Sequence, residues 1–94
     1  MKVTLKDINL SIPVIQETIK KDMKATAAFL FLSLIDEVND NNLKFVEAYN
    51  KCTSQEERDE LLATEVEITH SIPKDLITFD ISPAGLILLK PFIS

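Results

Sequence analysis

The chain has 94 residues, of which 46% are hydrophobic and 27% charged, a composition typical of one globular domain spanning residues 1–94. Its net charge of −5 argues against binding to nucleic acids or to anionic membrane surfaces, because both need clustered lysine and arginine. A single glycine argues against a phosphate-binding loop and a turn-rich all-β fold, and a single cysteine excludes an internal disulfide.

The N-terminal region predicts an extended lead-in followed by a first helix. Met1–Leu5 alternates between apolar and polar residues, which is typical of a brief strand or of a simple extended segment. The helix that follows has two possible starts. Either Asp7 caps it and Pro13 kinks it, or Ser11 caps it and Pro13 lies in its first turn, where proline is tolerated. In both cases we expect the helix to end near Lys21.

The central stretch Lys24–Lys51 contains neither glycine nor proline and predicts one long helix. In its second half, apolar residues recur at three-, four- and seven-residue steps, which places them on one helical face. These residues are Leu34, Ile35, Val38, Phe45, Val46 and Tyr49. The weak point is Asn39–Asn42, because short polar side chains compete for backbone hydrogen bonds and can bend or break a helix.

The first half of this long helix carries apolar side chains on all sides, and such a helix is normally covered on several sides. Four consecutive apolar residues stand out: Phe29, Leu30, Phe31 and Leu32. Either the rest of the fold covers all four, or part of the set is an exposed patch that docks a partner or a second copy of the chain. These four are the candidate partner-binding residues.

Beyond the long helix, the sequence predicts a third helix and two short strands. Ser54 and Glu57 fit a capping box, so we expect helix 3 to begin at Gln55 and to end near Ala63. Thr64–Ile68 alternates between polar and apolar residues and predicts a strand. A second extended candidate consists of Leu76, Ile77 and Phe79.

The C-terminal region predicts a short fourth helix. Ser82 is a suitable N-cap and Pro83 a suitable first helical residue, and the helix is expected to end near Leu89. The alternative is that Leu86–Leu89 forms a buried strand. In either case we expect the apolar residues of this region to pack back on the core: Leu86, Leu89, Phe92 and Ile93.

These elements predict a mainly α fold with a minor β element, that is, an α+β fold. We expect a helical hairpin with a long central helix, two short strands and a short C-terminal helix. The short link at residues 21–23 makes the first two helices neighbours, because a connection of that length cannot carry the chain far.

No residue cluster in the sequence predicts catalysis or metal binding. A zinc site needs several cysteines or histidines at short spacing, and only Cys52 and His70 are present. We interpret Cys52 as a small apolar filler and His70 as a surface loop residue, with a pH-sensitive contact as the alternative for His70. Asp36–Asn42 superficially resembles a calcium loop, but Val38 occupies a ligand position. The sequence therefore predicts a protein that is not an enzyme and that uses no cofactor and no metal.

A series of short motifs covers nearly the whole chain: Lys6–Ile8, Ala28–Phe29 leading to Leu34–Ile35, Leu61–Ile68, Ile81–Ala84 and Pro91–Ile93. This layout resembles that of small bacteriophage and prophage proteins of unknown function. The chain departs from their pattern in being more apolar at Leu30 and shorter around Lys51–Ser54. The resemblance implies a phage or prophage origin and brings with it no activity and no site residues.

The function that these features favour is protein–protein interaction without catalysis. The resemblance suggests a phage assembly or tail accessory factor, or a modulator of a host protein. The alternative is a purely structural subunit that associates with copies of itself. The N-terminus lacks the features of a signal peptide, and no apolar run is long enough to cross a membrane. We therefore expect a protein that lies in the cytoplasm of the bacterial host or is associated with the virion.

Overall fold

The architecture is mainly helical with one small sheet, which confirms the α+β class predicted from the sequence. The computed structural model describes residues 1–94. In chain order its elements are strand β1 (Lys2–Thr4), helices α1 (Leu5–Thr18), α2 (Ala25–Asn50) and α3 (Gln55–Leu62), strand β2 (Glu65–Glu67) and helix α4 (Pro83–Leu89). Short 3₁₀ turns precede and follow α4, at Lys74–Leu76 and Lys90–Phe92.

Helix α1 begins earlier than either predicted start. Thr4 caps it, because the Thr4 hydroxyl oxygen accepts a hydrogen bond from the Asp7 backbone N–H at 3.1 Å. The two predicted caps, Asp7 and Ser11, are therefore wrong. Pro13 lies inside the helix. The sequence pattern concealed this start because β1 leads directly into α1, and the last strand residue, whose backbone is extended, also provides the cap.

Helices α1 and α2 form the predicted hairpin. Helix α1 ends at Thr18, before the predicted end near Lys21, and residues 19–24 connect it to α2. Toward the other end of the pair, the Asn9 Nδ2 group donates a hydrogen bond to Asn42 Oδ1 at 3.0 Å. A residue early in α1 thus contacts one late in α2, which makes the two helices antiparallel.

Helix α2 continues without interruption through the polar run Asn39–Asn42. Buried apolar residues flank this run, Val38 on one side and Phe45 on the other, and their packing holds the helix against the core. Within the run, the Asn41 side chain donates a hydrogen bond to the Glu37 backbone carbonyl at 3.0 Å. The predicted weak point does not break α2, because these tertiary contacts outweigh the local preference of the asparagines.

The sheet joins the two halves of the chain. Strands β1 and β2 pair in antiparallel fashion, with Val3 opposite Val66. The strand predicted within Thr64–Ile68 is confirmed over Glu65–Glu67, and its partner is the N-terminal strand. The extended lead-in of the chain is therefore a true strand.

The second predicted strand, at Leu76, Ile77 and Phe79, is wrong. Leu76 closes a 3₁₀ turn that begins after Pro73, so the backbone turns where a strand would have to continue. The segment still packs on the core: the Phe79 ring lies edge-on to the Phe31 ring, with 5.8 Å between the ring centroids.

Helices α3 and α4 begin where the sequence predicts. The Ser54 Oγ atom accepts a hydrogen bond from the Glu57 N–H at 3.2 Å, and the Ser82 Oγ atom accepts one from the Gly85 N–H at 3.1 Å. These are N-caps, which supply partners to backbone donors that the first turn leaves unpaired. The alternative strand over Leu86–Leu89 is excluded, since α4 occupies that segment.

The core lies where α1, α2, the sheet and the C-terminal segment meet. Its buried apolar residues are Val3, Leu5, Ile8, Ile15, Phe31, Leu34, Ile35, Val38, Phe45, Ile68, Ile72, Leu89 and Phe92. Helix α2 is about 39 Å long at ~1.5 Å per residue, and the molecule measures 44 × 23 × 21 Å, so α2 runs along the long axis. It turns one side to the core and another to solvent along this axis.

Candidate docking surface

The solvent-facing side of α2 exposes four large apolar side chains. Their exposed fractions are 69% for Phe29, 52% for Leu32, 67% for Leu43 and 43% for Val46. At about 100° per residue, these four fall within a sector of about 100°, and Asp36 and Asn39 lie between them in the same sector. We name this surface the outer stripe and define it by six residues: Phe29, Leu32, Asp36, Asn39, Leu43 and Val46.

The outer stripe is uncovered because the rest of the chain packs on the other side of α2. On that inner side Phe31, Leu34 and Val38 are buried. Helix α1 and the C-terminal segment supply their neighbours. A helix that is apolar on all sides needs neighbours on all sides to be fully covered, and this fold provides them on one side of α2.

The structure divides the four predicted partner-binding residues. Phe29 and Leu32 are exposed and belong to the outer stripe. Leu30 is partly buried and packs against the core. Phe31 is 1% exposed, and its ring contacts that of Phe79. The prediction that Phe31 belongs to an exposed binding patch is wrong, because the turn of the helix directs it into the core.

Sequence reasoning missed two residues of this surface, Leu43 and Val46. Val46 shares the three- and four-residue spacing of the core residues, and the sequence pattern assigned it to their face. A stricter reading of the spacing identifies both, because steps of three, four, three, four and three connect Phe29 to Val46 through Leu32, Asp36, Asn39 and Leu43. Such a seven-residue repeat is the pattern of a helix that packs along a second helix.

The outer stripe is polar at its centre and carries charges of both signs along one flank. Asp36 is exposed, Asn39 is half-buried, and neither forms an ion pair or a side-chain hydrogen bond within the chain. Asp40, Lys44 and Glu47 are exposed along that flank. The surface therefore has two apolar ends and, between them, two polar side chains that are free to form hydrogen bonds with a partner.

A different carboxylate, that of Glu37, links α2 to the segment that follows β2. Glu37 Oε2 accepts hydrogen bonds from the Thr69 backbone N–H and hydroxyl, both at 2.7 Å. Glu37 Oε1 accepts one from the His70 backbone N–H at 3.0 Å and lies 2.9 Å from the His70 ring nitrogen Nδ1. Four groups therefore surround one carboxylate whose side chain is 18% exposed.

These contacts change the ionisation of Glu37. Burial on its own would raise the pKa of this carboxyl group, but the hydrogen bonds from the Thr69 and His70 backbone and side chains outweigh it and lower the pKa from 4.5 to about 2. His70 thus contacts a carboxylate instead of lying free in a surface loop. The four donors all come from the protein itself, so we interpret the cluster as a connection that holds the fold together.

A second apolar surface is a groove at the C-terminal end. The groove has a volume of about 720 Å³ and is lined by Lys74, Ile77, Leu86, Ile87, Lys90, Ile93 and Ser94. Leu86 and Ile87 are exposed in it, Ile87 at 70%. The prediction that Leu86 packs on the core is therefore wrong, whereas Leu89 and Phe92 are buried as predicted. Gly85 and Leu89 lie four residues apart on the buried side of α4, whereas Leu86 and Ile87 lie on its exposed side.

Other sites that could support chemistry are few. No group of three or more histidine, cysteine, aspartate or glutamate side chains is placed to hold a metal ion. Cys52 is partly buried, and its thiol donates a weak hydrogen bond to the Ala48 carbonyl at 3.5 Å. None of the helices combines the length and the apolar character needed to cross a membrane.

Comparison with known proteins gives no match to any protein-family model, curated protein or solved structure. The resemblance to small phage proteins therefore stays a prediction. Among the exposed apolar surfaces of the molecule, the outer stripe is the longest and the most regular.

Proposed function

We propose that this chain is a non-catalytic protein–protein interaction module and that the outer stripe of α2 is its docking surface. The observation that carries the proposal is the exposure of four large apolar side chains in one line along one helix. Apolar patches of this kind are characteristic of interaction sites. A helix that presents anchors at such spacing is recognised by an apolar groove or by another helix.

The expected partner has an apolar surface that matches the length of the outer stripe. Its apolar side chains would cover Phe29, Leu32 and Leu43, and its polar groups would lie close to Asp36 and Asn39 at the centre of the stripe. In a phage, such a module would act as an assembly or tail accessory factor or as a modulator of a host protein. It would work in the host cytoplasm or in association with the virion.

The test is affinity purification of the tagged chain from infected host cells, with Leu32→Glu as the disrupting variant. Ile87→Glu is the matched control, because it places the same charge on an exposed apolar residue outside the stripe, 70% exposed against 52% for Leu32. We expect partner proteins to co-purify with the wild type and with Ile87→Glu and to be lost with Leu32→Glu. Circular dichroism establishes that both variants are folded. Equal recovery from all three chains would contradict the proposed surface.

The second candidate function is a structural subunit that associates with copies of itself through the same stripe. The observation that favours it is the repeat of alternating three- and four-residue steps from Phe29 to Val46, along which two like helices can pack.

A further inference from the structure

We infer that the partner of the outer stripe is a second copy of this chain, bound with its α2 antiparallel to the first across a two-fold axis. This inference rests on the proposed function, which makes the stripe a docking surface, and it adds the identity and the orientation of the partner. Three features of the stripe support it: the symmetry of its sequence, the charge at its centre and its position on the molecule.

The sequence of the stripe has the same pattern in both directions. Forward, it reads Phe29, Leu32, Asp36, Asn39, Leu43, Val46, that is, two apolar, two polar and two apolar residues. The reverse order gives the same pattern with the same steps of three and four. When two such helices lie antiparallel, Phe29 faces Val46 of the second copy, Leu32 faces its Leu43, and Asp36 faces its Asn39. Every apolar residue thus meets an apolar residue, as a two-fold interface requires.

The two polar residues select the antiparallel orientation. With Asp36 opposite Asn39 of the second copy, the amide can donate a hydrogen bond to the carboxylate, and the two-fold axis produces this contact twice. In a parallel pair with the same register, Asp36 would face Asp36, and like charges in direct opposition are destabilising. Polar residues at the seam of paired helices commonly fix register and orientation in this way.

The flanking acids are compatible with the same arrangement. In the antiparallel pair, Asp40 lies nearest Ser33 of the second copy, and Glu47 lies nearest its Thr26. These two carboxylates therefore meet hydroxyl groups, which can donate hydrogen bonds to them. Neither acid is brought directly opposite another acid.

The position of α2 leaves room for the second copy. The stripe extends about 26 Å from Phe29 to Val46 along the long axis of the molecule. The Glu37 cluster and the Asn9–Asn42 contact both lie outside the sector that the stripe occupies. A single pair of helices gives an interface at the small end of the range for specific complexes, so we expect a dimer that dissociates on dilution.

Disulfide cross-linking tests the orientation. In a Cys52→Ser background, chains that carry Leu32→Cys and chains that carry Leu43→Cys, with tags of different size, are mixed and oxidised. The antiparallel pair places the two new thiols opposite each other, whereas two Leu32→Cys thiols would be about 16 Å apart, too far for a disulfide. We expect the mixed disulfide to form about tenfold faster than the disulfide between identical Leu32→Cys chains. Faster cross-linking of identical chains would overturn the antiparallel arrangement.

Sedimentation equilibrium tests the dimer itself. As concentration rises, the average mass of the wild type should increase from the 10.6 kDa of one chain toward twice that value. Leu43→Glu should raise the dissociation constant about tenfold or more, whereas the matched control Ile87→Glu should leave it unchanged. A wild type that stays monomeric overturns the inference. It does not by itself overturn the proposed function, because co-purification of a different protein that depends on Leu32 tests that function separately.

Discussion

Phe29 and Phe31 lie two residues apart on α2 and have opposite environments. Phe31 is 1% exposed and contacts the Phe79 ring, whereas Phe29 is 69% exposed and has no aromatic neighbour. The inner side of α2 stabilises the fold, and the outer side remains available for binding. The comparison shows that neighbouring elements decide which residues of an apolar run are covered and which stay exposed.

The largest expected effect is on the stability of the fold, which should depend on Phe31 and not on Phe29. Phe31→Ala should lower the free energy of unfolding by about 3–5 kcal/mol, because it leaves a cavity in the core. Phe29→Ala should change it by no more than about 0.5 kcal/mol, because the side chain is exposed in the monomer. Urea unfolding at low protein concentration, where the chain is monomeric, measures both. If the two variants were destabilised equally, the division of α2 into an inner and an outer side would be incorrect.

The adjacent residues Glu37 and Asp36 extend the comparison of the inner and outer sides of α2 to polar side chains. Glu37 accepts hydrogen bonds from Thr69 and His70, whereas the adjacent Asp36 makes no such contact within the chain. Glu37→Gln should lower the free energy of unfolding by about 1–3 kcal/mol, because the amide group would face donors that a carboxylate satisfies. Asp36→Asn should leave monomer stability nearly unchanged. Urea unfolding of both variants provides the measurement, and a cost for Asp36→Asn equal to that for Glu37→Gln would contradict this assignment.

The pH dependence of stability gives a further prediction about Glu37. Its pKa is about 2 in the folded chain and 4.5 for the unperturbed group. Because the folded value is the lower one, Glu37 stabilises the fold above pH 4.5, and this contribution is lost as pH falls from about 4.5 toward 2. Between pH 6 and pH 3, the free energy of unfolding should decrease less for Glu37→Gln than for the wild type. An identical decrease would contradict the role given to this carboxylate.

The helices could be predicted because their signals are local. Ser54 and Ser82 cap helices that begin where the sequence indicates, and the absence of glycine and proline allowed the whole length of α2 to be predicted. The start of α1 was missed because Thr4 belongs to a strand and caps a helix at the same time. Local signals thus identify elements well and can fail where two elements share a residue.

Contacts between distant segments could not be predicted from local pattern. Val3 pairs with Val66, and Glu37 binds Thr69 and His70 across a separation of more than 30 residues. The same limitation applies to the candidate surface. Periodicity indicates that α2 is apolar on all sides, but only the positions of α1 and the C-terminal segment determine that Phe31 is covered and Phe29 is not.

The smallest expected effect concerns the polar centre of the outer stripe. Asn39→Asp would place a carboxylate opposite Asp36 of the second copy, and the two-fold axis would produce this repulsion twice. We expect the dimer to weaken by about 1 kcal/mol, which corresponds to a roughly fivefold higher dissociation constant. Gln16→Glu is the matched control, because it adds the same charge to an exposed position on α1.

Salt distinguishes this repulsion from a general effect of charge. The Debye length falls to about 3 Å at 1 M salt. At this salt concentration, the dissociation constants of Asn39→Asp and the wild type should therefore differ less. Sedimentation equilibrium at low and at high salt measures the change. If Asn39→Asp and Gln16→Glu weakened the dimer equally, the added net charge would be responsible, and Asn39 would not lie opposite Asp36. If only Asn39→Asp weakened the dimer, Asn39 would lie close to Asp36 of the second copy. The outer side of α2 would then be the surface that binds this second copy.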